Sequence, residues 1–430
     1  MTNFLFASFP VTGHMNPGLP IARELVARGH DVRWYSTHRF KRAIECTGAR
    51  FVPFRRATPI DETRLDQLYP ERPKSGLAQL QWDIKHIFID SLRGQFADVV
   101  DELEREPADV IVGDNASVVA GAIHDRYGIP WAAYGVTVPA FSSRDTAPFG
   151  LALMPSSSPL GRVRNRLLTW LNDRVIFRDA MKHNNVVRRH LDLPRYTRSI
   201  FDFVRDADLI LQGGVASFEY PRTDMPSQLR FIGATIPPAP ADWTPPSWWN
   251  ELDGRQVVLV TQGTINNDYD QLIRPAIRAL ANEDVFVVVT TGSRPSSDVD
   301  IDPLPSNVRV ERFIPYARLM PKVDLLLTNG GFGSVQIALA NGVPIVAIGK
   351  TEDKAELVNR VNWSRVGVGL KTLQPTETQI RDAVTRVLTN PSFAIRASSI
   401  RHEMAGLNAP VRAADLLEEL VQQEAFAASA

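Results

Sequence analysis

The chain has 430 residues, more than one hydrophobic core usually fills, so its length favours two domains of about 150–250 residues each. Hydrophobic residues make up 44% and charged residues 22%, with 48 basic against 48 acidic side chains; this excludes a disordered, collagenous or coiled-coil chain, and no global field draws a nucleic acid. Cys46 is the only cysteine, which removes any intrachain disulfide or multi-cysteine metal site and fits a reducing cytoplasm.

Phe4-Leu5-Phe6-Ala7 is broken by Pro10 and Gly13 too soon for a signal-peptide core, and predicts a buried first strand. Nowhere do 18 apolar residues run together, so no segment spans a membrane by itself. The pattern predicts a strand over 3–9, a helix over 18–28 closed by Gly29, a strand over 31–36, a helix near 82–105, a strand over 108–113, a helix near 117–127 and a strand over 130–135. Alternation of this kind belongs to a parallel sheet with crossover helices. After a less regular stretch, 137–207, apolar runs return at 209–211 and 229–232.

TIPPAPADWTPPSWW (235–249) holds five prolines between 237 and 246, which can neither continue a helix nor sit in a central strand. It reads as an interdomain linker packed down by Trp243, Trp248 and Trp249. Beyond it the alternation restarts, with strands at 257–263, 285–290, 308–313, 323–328 and 344–348, helices near 269–281, from 333 and near 353–365, and closing helices near 376–389 and 410–425. The expected organisation is an N-terminal domain (1–235), a linker (236–252), a C-terminal domain (253–408) and a terminal helix (409–430) that can pack back on the first domain. Two α/β units joined in this way face each other across a cleft, and ligands of parallel sheets bind at the carboxyl ends of the strands.

The strongest local signal is VDLLLTNGGFGSVQIALANGVPIVAI (323–348), which reads as strand, glycine-rich turn, helix and strand. Gly330, Gly331 and Gly333, with Ser334 and Val335, would aim backbone amides at an anion before the helix, where the helix dipole adds positive charge. No GxGxxG is present, so the nucleotide is one other than NAD; the alternative is a plain strand-to-helix turn. Gly349-Lys350-Thr351 is not a P-loop, since position 344 is proline and Gly342 lies two residues too early. Near the N-terminus His14 follows the first strand, where a neutral imidazole can take a proton, and Asp114 ends ADVIVGD in the same sheet. A carboxylate there could fix the imidazole tautomer; the alternatives are a structural histidine and a helix cap.

With both ends read, the chain resembles the inverting, UDP-sugar-dependent glycosyltransferases of the GT-B fold, in the branch with bacterial macrolide glycosyltransferases and plant secondary-metabolite transferases. TGHMNPGLPIARELVARGHDV is similar to the family's opening strand and helix, and DVIVGD with RYGIPWAAYG to the segment that supplies the histidine's partner. RFIPYARLMPKVDLLLTNGGFGSVQIALANGVPIVAIGKTEDKAELVNRVNWSRVGVGL resembles the donor-binding signature. The resemblance implies two Rossmann-like domains, His14 as catalytic base and Asp114 as its partner. It further implies Gly263 and Thr264 near the donor phosphates, Phe313 as a platform beside the uracil ring in place of a tryptophan, and Gly333, Ser334 and Val335 on the diphosphate. Asp353 stands where an acidic residue meets sugar hydroxyls. Asn329 replaces a histidine, Tyr316 a glutamine and Lys354 another glutamine, departures that bear on the donor sugar.

The implied reaction moves a hexose, first of all glucose from UDP-glucose, to a hydroxyl of a small apolar acceptor with inversion, without a tightly bound cofactor or a metal, in the cytoplasm. Asn329 would offer a hydrogen-bond donor to the diphosphate, and Lys354 could pair with Asp353 or Glu352 or read a sugar carboxylate. A UDP-sugar epimerase and a catalytically silent nucleotide-sugar-binding partner subunit are the competing readings. For the acceptor side, Trp82, Phe88, Phe141, Phe149 and Trp170 are either core or cleft. Between 160 and 200 ten Arg or Lys stand against three Asp, which reads as a solvated helical face or as a surface for anionic lipid.

Overall fold

Among the described residues thirteen parallel strands carry the molecule, and the hydrophobic runs explain why: all but the edge strands are covered on both faces, as parallel sheets require. The computed structural model describes residues 1–429 apart from 63, 75, 241, 264–267, 293 and 352. The first sheet contains β1 (Asn3–Ala7), β2 (Asp31–Ser36), β3 (Arg50–Pro53), β4 (Val110–Asp114), β5 (Trp131–Gly135), β6 (Leu209–Gly213) and β7 (Leu229–Gly233), in the order β3-β2-β1-β4-β5-β6-β7. The second contains β8 (Val257–Thr261), β9 (Phe286–Thr290), β10 (Val308–Glu311), β11 (Leu325–Thr328), β12 (Ile345–Ile348) and β13 (Gly367–Leu370), in the order β10-β9-β8-β11-β12-β13. Two α/β units of parallel sheet, as the resemblance implies, are therefore present.

In each sheet the strand order reverses once, between β1 and β4 and between β8 and β11, and crevices open at the carboxyl ends of such pairs. Side chains alternate across β1: Phe4 and Phe6 enter one core with the helices Thr12–Ala27 and Ala409–Ser429, while Leu5 and Ala7 enter the other with Leu92–Arg105 and Val118–Tyr127. The terminal helix lies on the first domain, where Arg28 pairs with Asp415 and Glu418 at 2.8 and 2.9 Å and His30 Nε2 meets Glu418 at 2.7 Å.

Several elements differ from the sequence reading. The first helix begins at Thr12 rather than 18 and runs through Pro17 and Pro20, which lie inside it and each forgo the amide bond one turn back. The 82–105 pattern divides into Gly76–Asp83, a π-helical turn at Ile84–Ile89 and Leu92–Arg105. The irregular stretch contains the helices Pro159–Leu171 and Arg178–His190, and a further helix, Pro391–Ala405, precedes the last one. Gly18 lets the first helix lie on the sheet: a Cβ there would stand 2.8 Å from the Trp34 ring and 2.9 Å from the Tyr134 hydroxyl.

Trp243, Trp248 and Trp249 pack the proline-rich segment onto the second domain, and the Trp248 indole donates to Glu311 at 2.9 Å. Across the cleft a buried charge cluster joins the domains. Arg360 donates to both oxygens of Glu219, at 2.6 and 2.8 Å, and to Glu356 at 3.0 Å, with its guanidinium 4.1 Å from the Tyr220 ring centre. Glu356 in turn accepts from the amides of Gly150 and Ala152 at 3.0 and 2.8 Å. Burial alone would raise the Glu219 carboxyl, but Arg360 and Arg222 outweigh it and hold the group below the usual carboxylate range.

Arg360→Met should cost roughly 3–5 kcal/mol, because it strands two buried carboxylates. Urea denaturation checks this. Since Glu219 is depressed in the folded state, its contribution is complete above the ordinary carboxylate range and fades as pH falls through the lowered value, so the deficit of the variant should shrink in acid.

Candidate active site

The cleft between the sheets has a volume of about 1500 Å³ and takes its lining from both domains. On the first-domain wall, His14 lies in the opening turn of the Thr12–Ala27 helix, which follows β1, and Asp114 at the end of β4, the two strands that flank the switch point. His14 Nδ1 and Asp114 Oδ1 are 2.8 Å apart. Asp114 is fully buried and also accepts from the amides of Phe9 at 2.5 Å and Ala116 at 2.7 Å, so both of its oxygens are engaged and one of them orients the ring through Nδ1. His14 lines the cleft, and Nε2 is the nitrogen left with a lone pair. Asp114 caps no helix: Ser117 stands at the N-cap of Val118–Tyr127.

Other residues hold this arrangement. Val11 cannot cap the first helix with its side chain, and Glu62, fifty residues away, does so instead, accepting from Thr12 N at 3.1 Å and Thr12 Oγ1 at 2.6 Å. Arg39 pairs with the far oxygen of Glu62. The Tyr134 hydroxyl lies 2.8 Å from the His14 carbonyl oxygen and 2.7 Å from Ser8 Oγ; burial, assisted by Asp114, pushes its ionisation up and keeps it a neutral donor. None of these partners was read from the sequence, where Glu62 falls in an irregular segment and Tyr134 in a buried strand.

On the opposite wall the helix Phe332–Ala340 starts at the end of β11. Its first amides, Phe332, Gly333 and Ser334, have no carbonyl one turn back within the helix, and all three residues line the cleft with Gly331. Val335 does not share this role: its amide already donates to the Gly331 carbonyl at 3.2 Å and its side chain is buried. Gly330 also stands behind the cradle, with φ of 87° and its amide 3.3 Å from Thr328 Oγ1, where a Cβ would press on the Lys354 carbonyl. Asn329 lines the cleft and gives one Nδ2 hydrogen to the Gln262 carbonyl; Nδ2 carries a second hydrogen, and the buried Oδ1 has no hydrogen-bond partner.

Gly263, with φ of 78°, and the 60%-exposed Phe313 line the same wall; Thr264 lies outside the described residues. Tyr316 lines the cleft, but its hydroxyl is turned to the sheet. Its hydroxyl donates to Thr261 at 2.9 Å and sits 3.1 Å from Thr290, tying the ends of β8 and β9 together, and burial raises its ionisation. Asp353 and Lys354 open the helix Lys354–Ser364 and line the cleft. Asp353 Oδ2 accepts from Thr137 Oγ1, on the first domain, at 3.0 Å. Thr137 stands two residues after β5 and was missed because a lone hydroxyl carries no motif.

Of the five aromatic candidates, Phe88 and Phe149 line the cleft, with Phe88 stacked on Phe9 at 4.5 Å. Phe141 is core, held between Arg205 and Arg222; Trp82 packs on Tyr69 and His86; Trp170 is on the outer surface. Ile60, Ile84 and Ile87 complete an apolar chamber beside His14. Among the described residues no group of three His, Cys, Asp or Glu is placed to hold a metal ion, and no helix is long and apolar enough to cross a membrane.

A hydrogen-bonded histidine–carboxylate pair on one wall and a helix N-terminus on the other thus face each other across the cleft. The chain belongs to the glycosyltransferases of the GT-B fold that include the macrolide enzymes. Residues 275–420 match the family described as the C-terminal domain of erythromycin biosynthesis protein CIII-like proteins. The chain is 48% identical over 420 residues to 4'-demethylrebeccamycin synthase of Lentzea aerocolonigenes, covering 97% of this chain and 99% of that one. It is 32% identical over 446 residues to UDP-glycosyltransferase 2 of Phaeomoniella chlamydospora, covering 97% and 95%. Among solved structures, the glycotransferase of kitacinnamycin superposes with a TM-score of 0.76 at 23% identity, covering 98% of this chain and 99% of that one.

Phe313→Ala should weaken UDP binding by about 1 kcal/mol, close to five-fold, if the exposed ring stacks on the base. Val335→Ala, which leaves the amides untouched, should leave binding within two-fold. Isothermal titration with UDP compares the two.

Proposed function

We propose that the protein transfers a hexose, with glucose the first choice, from a UDP-sugar to a hydroxyl of a small, largely apolar acceptor with inversion at the anomeric carbon. The observation that carries this reading is the 2.8 Å His14–Asp114 bond at the rim of a cleft whose far wall is a helix N-terminus. His14 Nε2 takes the acceptor proton as the acceptor oxygen bonds to the anomeric carbon. The bond from that carbon to the phosphate oxygen breaks with its electron pair passing to the UDP leaving group. Asp114 stabilises the imidazolium that forms, and the amides of Phe332, Gly333 and Ser334 accept the charge that gathers on the diphosphate.

Asp353 is the group we assign to the sugar hydroxyls, exchanging its Thr137 bond for one to the donor. Lys354, beside it on the lining, supplies only donors, which suits a neutral hexose rich in hydroxyl acceptors. The apolar chamber around Phe9, Ile84, Ile87 and Phe88 favours a flat or hydrocarbon-rich acceptor. The name of the 4'-demethylrebeccamycin relative agrees with a small-molecule product.

His14→Ala should lower transfer by roughly 10²–10⁴ while UDP affinity is unchanged. Asp114→Asn should cost less, since it keeps the shape and loses the charge. Wild-type turnover in His14→Ala would remove the base assignment. The assay follows UDP release with an aglycone panel, and conversion of UDP-glucose without an acceptor would indicate an epimerase instead. Competition among UDP-glucose, UDP-glucuronate, UDP-GlcNAc and a dTDP-sugar should favour UDP-glucose. A preference for UDP-glucuronate that Lys354→Gln reverses would make the lysine a carboxylate reader.

A further inference from the structure

The helix Pro159–Leu171 is built inside out. Its inward side carries Gly161 and Asn165, followed by Asn172; Asn165 is fully buried and donates to the Arg144 carbonyl at 3.0 Å, and a Cβ at Gly161 would collide with Ser156. Its outward side carries Leu160, Val163, Leu167 and Trp170, which are 83, 63, 57 and 55% exposed. At about 100° per residue these positions and Leu171 fall within an arc of about 100°, with Arg164 at one edge and Arg166 at the other. Val175, 61% exposed, extends the stripe, with Arg174 and Arg178 beside it. An apolar stripe normally turns toward the core, and an exposed one marks a surface that is covered in use.

We propose that this face docks on an anionic lipid surface. Charge selects that occupant. From Pro159 to Arg178 the chain has five arginines and one carboxylate, Asp173. Arg162 is bound to Asp145 at 2.9 Å, whereas Asp173 already accepts from Ser199 at 2.7 Å and from the Asn172 amide at 3.1 Å, so the face is cationic around an apolar centre. A second copy of the chain would bring the arginines of this stripe against their own equivalents across a two-fold axis, which like-charge repulsion opposes. A bilayer with acidic headgroups satisfies both parts: leucine and valine enter the acyl boundary, Trp170 lies at the headgroup level, and the arginines meet phosphates.

The stripe also runs on into the cleft. Asn172, Ile176 and Phe177, which follow it in the chain, line the cleft, as do Phe149 and Leu151. Leu153 and Met154 are exposed between these two regions, and Arg164 holds the Met154 carbonyl at 3.2 Å. An apolar acceptor dissolved in the bilayer would thus find a continuous apolar route to His14. The docking rests on the helix alone; only this link to acceptor entry rests on the function proposed above.

Sedimentation with vesicles tests the docking without donor or acceptor. At physiological ionic strength the protein should bind vesicles of phosphatidylcholine containing about one third phosphatidylglycerol at least ten-fold better than phosphatidylcholine alone. Leu167→Glu should lower that binding roughly ten-fold and Arg166→Gln about five-fold. Both variants should keep UDP binding and turnover of a water-soluble acceptor, which shows that they fold. Failure of the wild type to bind the anionic vesicles, or equal binding by Leu167→Glu, overturns the proposal. So does a dimer, seen by sedimentation velocity without lipid, that Leu167→Glu dissociates, since the face would then belong to a second copy.

Discussion

Much of the first domain's working geometry follows from one buried carboxylate. Asp114 has no exposed surface, and a charge removed from water is tolerable only when hydrogen bonds replace its hydration. The bonds come from Phe9 after β1, from Ala116 after β4 and from His14 in the first turn of the next helix. The course of the two turns, the early start of the helix and the tautomer of the imidazole are therefore one constraint. Glu62 and Tyr134 brace the same turn from outside, one at its amide end and one at the His14 carbonyl.

The second domain solves the opposite problem, since it must accept an anion and not house one. Its first-turn amides have no carbonyl one turn back, while Val335 N, Gly330 N, Asn329 Nδ2 and the Tyr316 hydroxyl each have a partner within the domain. The Arg360–Glu219–Glu356 cluster then sets the distance between the two walls. Against that charged and buried seam, the Thr137–Asp353 bond ties the two walls at the cleft itself.

The sequence displayed what long-range order demands and concealed what local exchange decides. Apolar runs such as 257–261 and 325–328 can only be covered strands, so the two sheets were legible, whereas the short edge strands β3 and β13, partly exposed, left no such run. The helix Pro391–Ala405 escaped because it buries only Phe393, Ala397, Ile400 and Met404 among polar neighbours. Pro159–Leu171 escaped because its apolar side is the wrong one. His14 and Asp114 could be paired on paper because both end strands of one sheet, while Thr137 and Glu62 act through contacts that no spacing announces. The commitment of the Val335 and Asn329 groups likewise depends on where a helix begins, to within a single residue.

The chain passes between the domains twice, once along the proline-rich segment after β7 and once where the helix Pro391–Ala405 gives way to Ala409–Ser429. These crossings touch: a Cβ on Gly233 would stand 3.0 Å from Leu407. Two covalent pivots side by side behave as the two leaves of a door hinge. They leave one easy rotation, about the line through the pivots, and resist both sliding and twisting of one sheet over the other. A rotation about that line changes the gap between the helix N-terminus of the second domain and the histidine of the first while keeping the two opposite each other.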